Sequence, residues 1–336
     1  MNLDRSSVAA YLRRKRLLGE SDSPLRVEEL GDRSRNLVFL VSGPRQRWFV
    51  KQALSRVQQA KERWWIDRKR IFAEKNCIEL LHQILPPPVI PEVLLEDRTD
   101  FVLVTTAPAD NAIHWEEELT GGRIDLQIAV QCGQLLATVH NQTFENRAAR
   151  QVFRDTKVFD QLRVEPLYTR VIQAFPDLKK VISAQARALV KEGYALVLGD
   201  LRPRSVWVAN GQVFLVDFAT AHYGCPSFDL AFYATDMCLK AMANSPQKAA
   251  YLEAINVFWS AYFRVAEYAR KEHAAQRAVC DLGCLLLAAT DGRQPLPFPD
   301  ENARNLSRRI AQSLLFTELE SIEDITEFVN RTLIDG

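Results

Sequence analysis

The 336-residue chain has little of what marks several large classes of protein. Its 43 basic residues are matched by 42 acidic ones, so it lacks the positive excess that a broad nucleic-acid-binding surface requires. No apolar run of about 20 residues occurs, and no apolar stretch follows Met1, so neither a membrane-spanning helix nor a secretion signal is predicted. We therefore expect a cytoplasmic protein without a nucleic-acid or membrane partner.

Cysteine and histidine patterns that bind metals are also missing. The six cysteines include no CxxC pair, and the five histidines are dispersed along the chain. Such spacing is not typical of a zinc site or a disulfide framework. Cys280 and Cys284 would share one helix face, but no further ligand is close in sequence. We interpret the cysteines as buried thiols.

The order of the sequence patterns divides the chain into two parts. In the first part, β-rich runs surround one helix, expected over roughly residues 61–85 and ended by prolines that cannot continue it. In the second part, apolar residues recur mostly at helical spacing. We therefore expect an α+β fold with a β-rich lobe over residues 1–108, including a helix over 5–18, and a mainly helical lobe over 109–336. Ligand sites are common in a cleft between two lobes.

The segment LVLGDLRPRSVWVANGQVFLVDF, residues 196–218, carries the main functional signal. Its Asn-Gly pair indicates a two-residue hairpin turn, which would pair Ser205 with Val216 at the open end. Asp217 lies at that end, and the GDLRPR loop brings Asp200 to it. A hydroxyl and two carboxylates in one place could hold a hard cation, which prefers oxygen ligands. The simpler alternative is that Asp200 begins a turn and Asp217 ends a strand.

Phosphoryl transfer would use all three side chains. Magnesium held by two protein oxygens and by nucleotide phosphates would leave one carboxylate to orient a substrate hydroxyl. Asp200 suits that role, and Ser205 and Asp217 suit the metal.

Together with Lys51 on a strand and Glu74 on the helix, this order of residues resembles the protein-kinase-like phosphotransferases. Within them the chain is similar to the aminoglycoside phosphotransferase and methylthioribose kinase group, in FVKQAL at 49–54, HYGCPSFD at 222–229 and the paired arginines of RRIAQSLLFTELESIED. The resemblance spans most of the chain. It implies a bilobal protein-kinase-like fold, with an N-terminal antiparallel sheet and one main helix beside a helical C-terminal lobe.

The resemblance also implies roles for individual residues. Asp200 would be the catalytic aspartate, Ser205 and Asp217 would hold Mg²⁺, and Asp229 would brace the catalytic loop. Residues expected to bind or support ATP are Lys51, Glu74, Gly31, Asp32, Asn36, Thr105, Thr106 and Ala107. Residues expected beside the acceptor are Arg202, Arg204, Trp64, Arg308 and Arg309.

Several of these residues have plainer explanations. Lys51 could be a solvated strand residue and Glu74 an exposed helix residue. Asp229 could act only on the dipole of the helix that follows it. Trp64 could pack against the sheet, and the two C-terminal arginines could be a solvated pair.

The chain departs from the family pattern near Asp200. Leu198 stands where the family has the histidine of HGD, so apolar packing would replace polar contacts. Arg202 and Arg204 add positive charge, which would favour an anionic substrate or reduce activity by pairing with Asp200. The DFA at 217–219 lacks the second acid of the DxE motif of methylthioribose kinases, which argues against the same metal geometry and substrate.

Three interpretations remain open. The first is an ATP- and Mg²⁺-dependent kinase that phosphorylates a hydroxyl of a sugar, nucleoside or antibiotic. The second is a methylthioribose kinase of methionine salvage. The third is a nucleotide-binding pseudokinase that recognises another protein. The oligomeric state is not fixed by the sequence, and a homodimer is compatible with it.

Overall fold

The computed structural model describes residues 2–19, 22, 24–31, 35–56, 64–243, 245–316 and 322–335. The first lobe is built on a five-stranded antiparallel sheet with the spatial order β1-β2-β3-β5-β4. Its strands are β1 (Arg26–Leu30), β2 (Asn36–Ser42), β3 (Arg47–Ala53), β4 (Val93–Asp97) and β5 (Val102–Thr106). The sequence patterns predicted these five strands in this order, with one helix between β3 and β4.

A short helix, α1 (Val8–Arg14), covers one face of the sheet. Its buried residues Val8, Tyr11 and Leu12 pack in a cluster with apolar side chains of β2, β3 and β5. The predicted helix over 5–18 was too long, because Arg16 adopts a left-handed backbone with φ +61° and ends the regular structure.

The other face of the sheet meets α2 (Arg70–Leu81), whose buried side includes Ile71, Glu74 and Ile78. The prediction of a helix over 61–85 was wrong at its start, although residues 61–63 lie outside the described part. The described segment from Trp64 is extended, and Trp65 forms an isolated β-bridge with Arg56. Aromatic packing across the lobes therefore replaces helix formation there.

The second lobe is mainly helical. The large apolar cluster of the protein lies within it and continues across to α2. Its helices are α3 (Trp115–Thr120), α4 (Leu126–Thr143), α5 (Arg147–Phe153), α6 (Lys157–Phe159), α7 (Arg170–Ala174), α8 (Lys179–Lys191), α9 (Ser227–Ala243), α10 (Lys248–Val265), α11 (Lys271–Asp291), α12 (Glu301–Phe316) and α13 (Ile322–Asp335). A π-helical stretch, Asp160–Thr169, joins α6 to α7.

Short strands lie where the helical lobe faces the sheet. A three-stranded sheet has the order β6-β8-β9, and β10 pairs with β7. Their bounds are β6 (Ile113–His114), β7 (Ala195–Val197), β8 (Val206–Ala209), β9 (Gln212–Leu215) and β10 (His222–Gly224). None of the described helices combines the length and apolarity that a membrane crossing needs.

Candidate active site

Strand alternation places Lys51 on the cleft side of the sheet. Neighbouring residues of a strand point to opposite faces, and Val50 is fully buried beneath α1. Lys51 therefore points toward α2, where its Nζ lies 2.7 Å from Oε1 of Glu74. The same Nζ lies 3.1 Å from Oδ1 of Asp217, which belongs to the helical lobe. One ammonium group thus joins the sheet, α2 and the hairpin segment.

The charges of these three residues depend on one another. Burial disfavours the charged ammonium of Lys51, but Asp217 and Glu74 outweigh burial and raise the lysine pKa. Burial also raises the pKa of Glu74. Burial acts in the same direction on Asp217, but the charge of Lys51 and its hydrogen bond prevail, and the pKa of Asp217 is lowered. Asp217 is accordingly an ionised carboxylate at neutral pH.

The hairpin forms with the predicted register. Val206 pairs with Leu215 and Val208 with Val213, and the Val216 N–H donates to the carbonyl of Ser205 at 2.9 Å. This register brings Ser205, which is buried, to the open end beside Asp217. Asp217 adopts φ +71°, a left-handed conformation that an aspartate tolerates better than most residues.

The loop that carries Asp200 is fixed from two sides. Asp229, fully buried in the first turn of α9, accepts hydrogen bonds from the N–H groups of Leu198 and Gly199, both at 2.7 Å. Gly199 has φ +75°, and a Cβ there would lie 2.8 Å from Oγ1 of Thr220. Only glycine fits this position, and its backbone sets the direction of Asp200. Asp229 makes the loop contacts expected of it, at the same time as it lies at a helix start.

Asp200 is 8% exposed and lies between two arginines. Nη2 of Arg163 is 2.9 Å from its Oδ2, and Nε of Arg202 is 3.0 Å from its Oδ1. The second contact is an ion pair without hydrogen-bond alignment, so Oδ1 of Asp200 has no hydrogen-bonding partner among the described residues. This oxygen is buried against the Arg202 guanidinium, so an acceptor hydroxyl would reach it only after that side chain moved. The arginine pairing considered from the sequence is therefore present.

The charge of Arg163 relates Asp200 to the metal side of the site. It acts on Asp217 as well as on Asp200, and so does the charge of Arg202. The guanidinium groups of both arginines also lie over the ring of Phe232, at 5.1 and 5.2 Å from its centroid. The positive charges of Arg163 and Arg202 therefore act on both Asp200 and Asp217.

The residues present fit a magnesium ion that also binds phosphates. The side chain of Asp217 is 39% exposed, and only its Oδ1 contacts Lys51. No group of three or more His, Cys, Asp or Glu side chains among the described residues could hold a metal by itself. Magnesium commonly uses one or two protein oxygens together with substrate phosphates and water, which matches Asp217 with Ser205.

The residues expected around the nucleotide differ in what they contact. Gly31 has φ +76° and is exposed at the end of β1, whereas Asp32 lies outside the described residues. The side chain of Asn36 accepts a hydrogen bond from Arg70 at 2.9 Å, so it braces α2 in this structure. Contact of Gly31, Asp32 and Asn36 with phosphate stays a prediction.

The expected adenine segment follows β5. Thr105 pairs with Phe49 across the β3–β5 ladder. The N–H of Thr106 donates to the backbone carbonyl of Glu92, and the N–H of Ala107 donates to the backbone carbonyl of Arg47. Those two backbone donors are therefore engaged within the protein. Adenine binding by Thr105, Thr106 and Ala107 stays a prediction.

Trp64 and Arg204 occupy different parts of the region expected to hold the acceptor. Trp64 is buried against Leu162 of the helical lobe and donates from Nε1 to the Gln161 carbonyl at 3.1 Å, so it packs between lobes and not on the sheet. Arg204 is exposed, and its backbone carbonyl oxygen lies 2.6 Å from Nε2 of His114.

The paired arginines of α12 are separate from Asp200 in their contacts. Arg308 makes two hydrogen bonds with Asp291, at 2.6 and 2.7 Å, and a third contact with Glu301. Arg309 is exposed. Arg308 is thus occupied by acids of its own lobe, and acceptor binding by either arginine stays a prediction without a supporting contact.

Arg163 and Arg70 were not predicted from the sequence. Arg163 lies in the π-helical stretch, where Pro166 obscures any helical periodicity. Arg70 is buried and donates to backbone carbonyls, including that of Leu54 at 2.9 Å. The apolar surroundings of Arg70 on α2 were the one available signal, since a buried arginine requires specific partners.

Among curated proteins, methylthioribose kinases are similar to this chain. A methylthioribose kinase from Pectobacterium carotovorum is 29% identical over 232 residues, which are 60% of this chain and 57% of that protein. The chain spans about three fifths of the length of such curated relatives.

Two solved structures share the fold at low identity. A choline/ethanolamine kinase family protein from Mesorhizobium loti has a TM-score of 0.56 and 17% identity, covering 97% of this chain and 98% of that one. An amicoumacin kinase in complex with AMP-PNP, Ca²⁺ and Ami has a TM-score of 0.53 and 13% identity, covering 93% and 94%. These likenesses confirm the predicted bilobal kinase-like α+β fold.

The profile of the phosphotransferase enzyme family matches residues 26–268, which include every residue from Lys51 to Asp229 discussed above. The chain therefore belongs to the phosphotransferase enzyme family.

Proposed function

We propose that this protein is an ATP- and Mg²⁺-dependent kinase that transfers the γ-phosphoryl group to a hydroxyl of a small molecule. The observation that carries the proposal is Lys51, whose Nζ contacts Glu74 and Asp217 on one side of a site where Oδ1 of Asp200 has no aligned partner. A lysine for phosphates, an acid for metal and a second acid for the acceptor are the parts that phosphoryl transfer needs.

Each residue has a distinct task in this proposal. Lys51, held by Glu74, binds the α- and β-phosphates, while Asp217 and Ser205 hold the metal. Bound Mg²⁺ would neutralise charge on the phosphate oxygens. Asp200 accepts the hydrogen bond of the acceptor hydroxyl through Oδ1 and takes its proton. Asp229 keeps the Asp200 loop in place through Leu198 and Gly199.

Cationic side chains line the site. The charges of Lys51, Arg163 and Arg202 all act on Asp217, and those of Arg163 and Arg202 also act on Asp200. Such cations favour a ligand that carries negative charge, and a magnesium–ATP complex is net negative. ATP and a divalent ion also agree with the AMP-PNP and Ca²⁺ named for the amicoumacin kinase of the same fold.

Two other functions each have one observation in their favour. The curated relatives are methylthioribose kinases, which keeps methylthioribose among the acceptors to be tested. The pairing of Asp200 with Arg163 and Arg202 favours a protein that binds nucleotide without turnover. Cytoplasmic location and a homodimer remain predictions.

The experiment measures ADP release with Mg²⁺ over a panel of sugars, nucleosides, aminoglycosides and methylthioribose. We expect acceptor-stimulated turnover that Asp200→Asn lowers by about a hundredfold or more, with ATP affinity changed less than about threefold. Binding of ATP without turnover on any acceptor would support the non-catalytic protein. Equal turnover by wild type and Asp200→Asn would contradict the role of Asp200.

A further inference from the structure

Among the residues that the structure describes, Arg35 has no acidic partner. It lies directly before β2, at the end of the loop that begins at Gly31. No hydrogen bond or ion pair of its side chain occurs among the described residues, although many arginines around it are paired. Its guanidinium instead lies over the ring of Trp64, 5.9 Å from the centroid.

The contacts of Trp64 place Arg35 where the sheet lobe meets the helical lobe. Trp64 is fixed to the helical lobe through the carbonyl of Gln161, two residues before Arg163, and Arg163 contacts Asp200. From this position the charges of Asp200 and Asp217 act on Arg35. Arg35 thus belongs to the sheet lobe, contacts a tryptophan that packs against the helical lobe, and is influenced by the charges of both Asp200 and Asp217.

Arg35 is partly buried, and the acidic side chains whose charges act on it are already paired with other cations. Burial is the main cause that lowers the pKa of Arg35, and Arg163 acts in the same direction. Asp200 is already paired with Arg163 and Arg202, and Asp217 with Lys51. A guanidinium in this state needs an anion that the described part of the protein does not supply, and a phosphate offers matching oxygen atoms.

We propose that Arg35 binds the phosphoryl group that is transferred. Its guanidinium would donate the hydrogen bonds to phosphate oxygens that backbone N–H groups donate in a loop with several glycines. The loop at 31–36 contains a single glycine, Gly31. A side chain with several N–H donors can reach phosphate oxygens that a stiffer backbone cannot approach. This inference rests on the proposed kinase function.

The chemical step places Arg35 on the group in transfer. The acceptor oxygen forms a bond to the γ-phosphorus while the bond from that phosphorus to the β,γ-bridging oxygen breaks. ADP leaves with the electron pair of that bond, and the hydroxyl proton passes to Asp200. Arg35 binds oxygens of the phosphoryl group before and during this exchange, where negative charge spreads over them.

The loop position distinguishes this role from recognition of an anionic acceptor. Arg35 comes from the sheet lobe, whose Lys51 faces the nucleotide phosphates in the proposed function. The cations next to Asp200 on the helical side are Arg163 and Arg202. An acceptor anion would therefore meet those two first, whereas Arg35 follows the loop that precedes β2 on the lobe that carries Lys51.

Calorimetric titration with Mg·ATP and Mg·ADP tests the proposal without needing the acceptor. Arg35→Ala should weaken ATP binding by about tenfold or more, because a charge-assisted contact to the γ-phosphate is lost, and ADP binding by less than about threefold. Arg35→Lys should restore ATP binding only in part, since it keeps the charge but not the planar donor set. Arg45→Ala removes the same charge from an exposed turn of the same lobe and should leave both affinities unchanged.

The outcomes separate this inference from the proposed function. ATP and ADP weakened equally by Arg35→Ala, or neither weakened, would overturn the role of Arg35 while the kinase proposal stands. Full restoration by Arg35→Lys would also overturn it, because long-range charge alone would then explain the effect. No binding of Mg·ATP by the wild type would instead overturn the proposed function itself.

Discussion

Removal of Arg163 should destabilise the protein strongly, because the buried Asp200 keeps only Arg202 as a partner and two backbone carbonyls lose their donors. Arg163 is 2% exposed, and each of its three guanidinium nitrogens has a partner: the carbonyls of Gly199 at 2.8 Å and Leu162 at 3.0 Å, and Asp200 at 2.9 Å. Arg163→Met keeps similar volume but removes all three contacts. Breaking a buried ion pair from one side costs about 3–5 kcal/mol.

The magnitude converts into a shift of melting temperature. Unfolding entropies near 2.1 cal/mol/K per residue give roughly 0.7 kcal/mol/K for a chain of this length. Arg163→Met should therefore lower the melting temperature by about 4–7 °C in differential scanning calorimetry. Arg26→Met is a control, because Arg26 is exposed and pairs only with Glu28 of its own strand among the contacts of the described residues, so its melting temperature should stay near that of the wild type.

A double-mutant cycle with Asp200→Asn assigns the cost to the pair. Once Asp200 is uncharged, loss of Arg163 leaves no buried anion, so the double variant should be more stable than the sum of the single effects by about 2 kcal/mol. A single effect of Arg163→Met below about 1 kcal/mol, or a coupling near zero, would refute the reasoning. Asp200 would then be held by other contacts.

Two further predictions concern the backbone and the pH dependence. Gly199→Ala should lower the free energy of unfolding in urea by about 2–4 kcal/mol, because its Cβ would lie 2.8 Å from Thr220. Gly211→Ala is the control, since Gly211 also has positive φ but a Cβ there would meet nothing within 4 Å, and it should cost about 1 kcal/mol. Equal costs for the two variants would contradict the packing argument. Burial raises the pKa of Asp281 from 3.8 to about 6, so the folded protein takes up a proton between those pH values and its stability falls as pH rises through them. Asp281→Asn retains an acceptor for Tyr168 but cannot titrate, so its stability should fall by about 3 kcal/mol less than that of the wild type over this pH range. If the melting temperatures of variant and wild type depend on pH in the same way, Asp281 does not titrate there.

Local patterns of the sequence were sufficient for most of the fold. The β-rich runs marked β2 and β3 and placed Lys51 on a strand, and the Asn-Gly pair fixed the hairpin register that brings Ser205 to Asp217. These features depend on neighbours along the chain. Helical spacing did the same for the long helices of the second lobe.

Contacts between distant segments were not predictable in the same way. Arg163 is 37 residues before Asp200, and the helix that carries it contains Pro166, so neither its element nor its partner could be inferred. The contact of Arg35 with Trp64 likewise joins segments that are far apart along the chain. The start of α2 was misplaced because Trp64 packs against the other lobe, which no local pattern reveals.

Asp217 and Lys51 are proposed to form the site of a magnesium–nucleotide complex in front of Asp200. The ATP affinity, measured with and without Mg²⁺ in wild type, in Asp217→Asn and in the surface variant Asp155→Asn, shows whether Asp217 holds the metal. We predict that Mg²⁺ strengthens ATP binding by about tenfold or more in wild type and control, and that Asp217→Asn abolishes this gain. An equal gain in all three proteins would contradict the account.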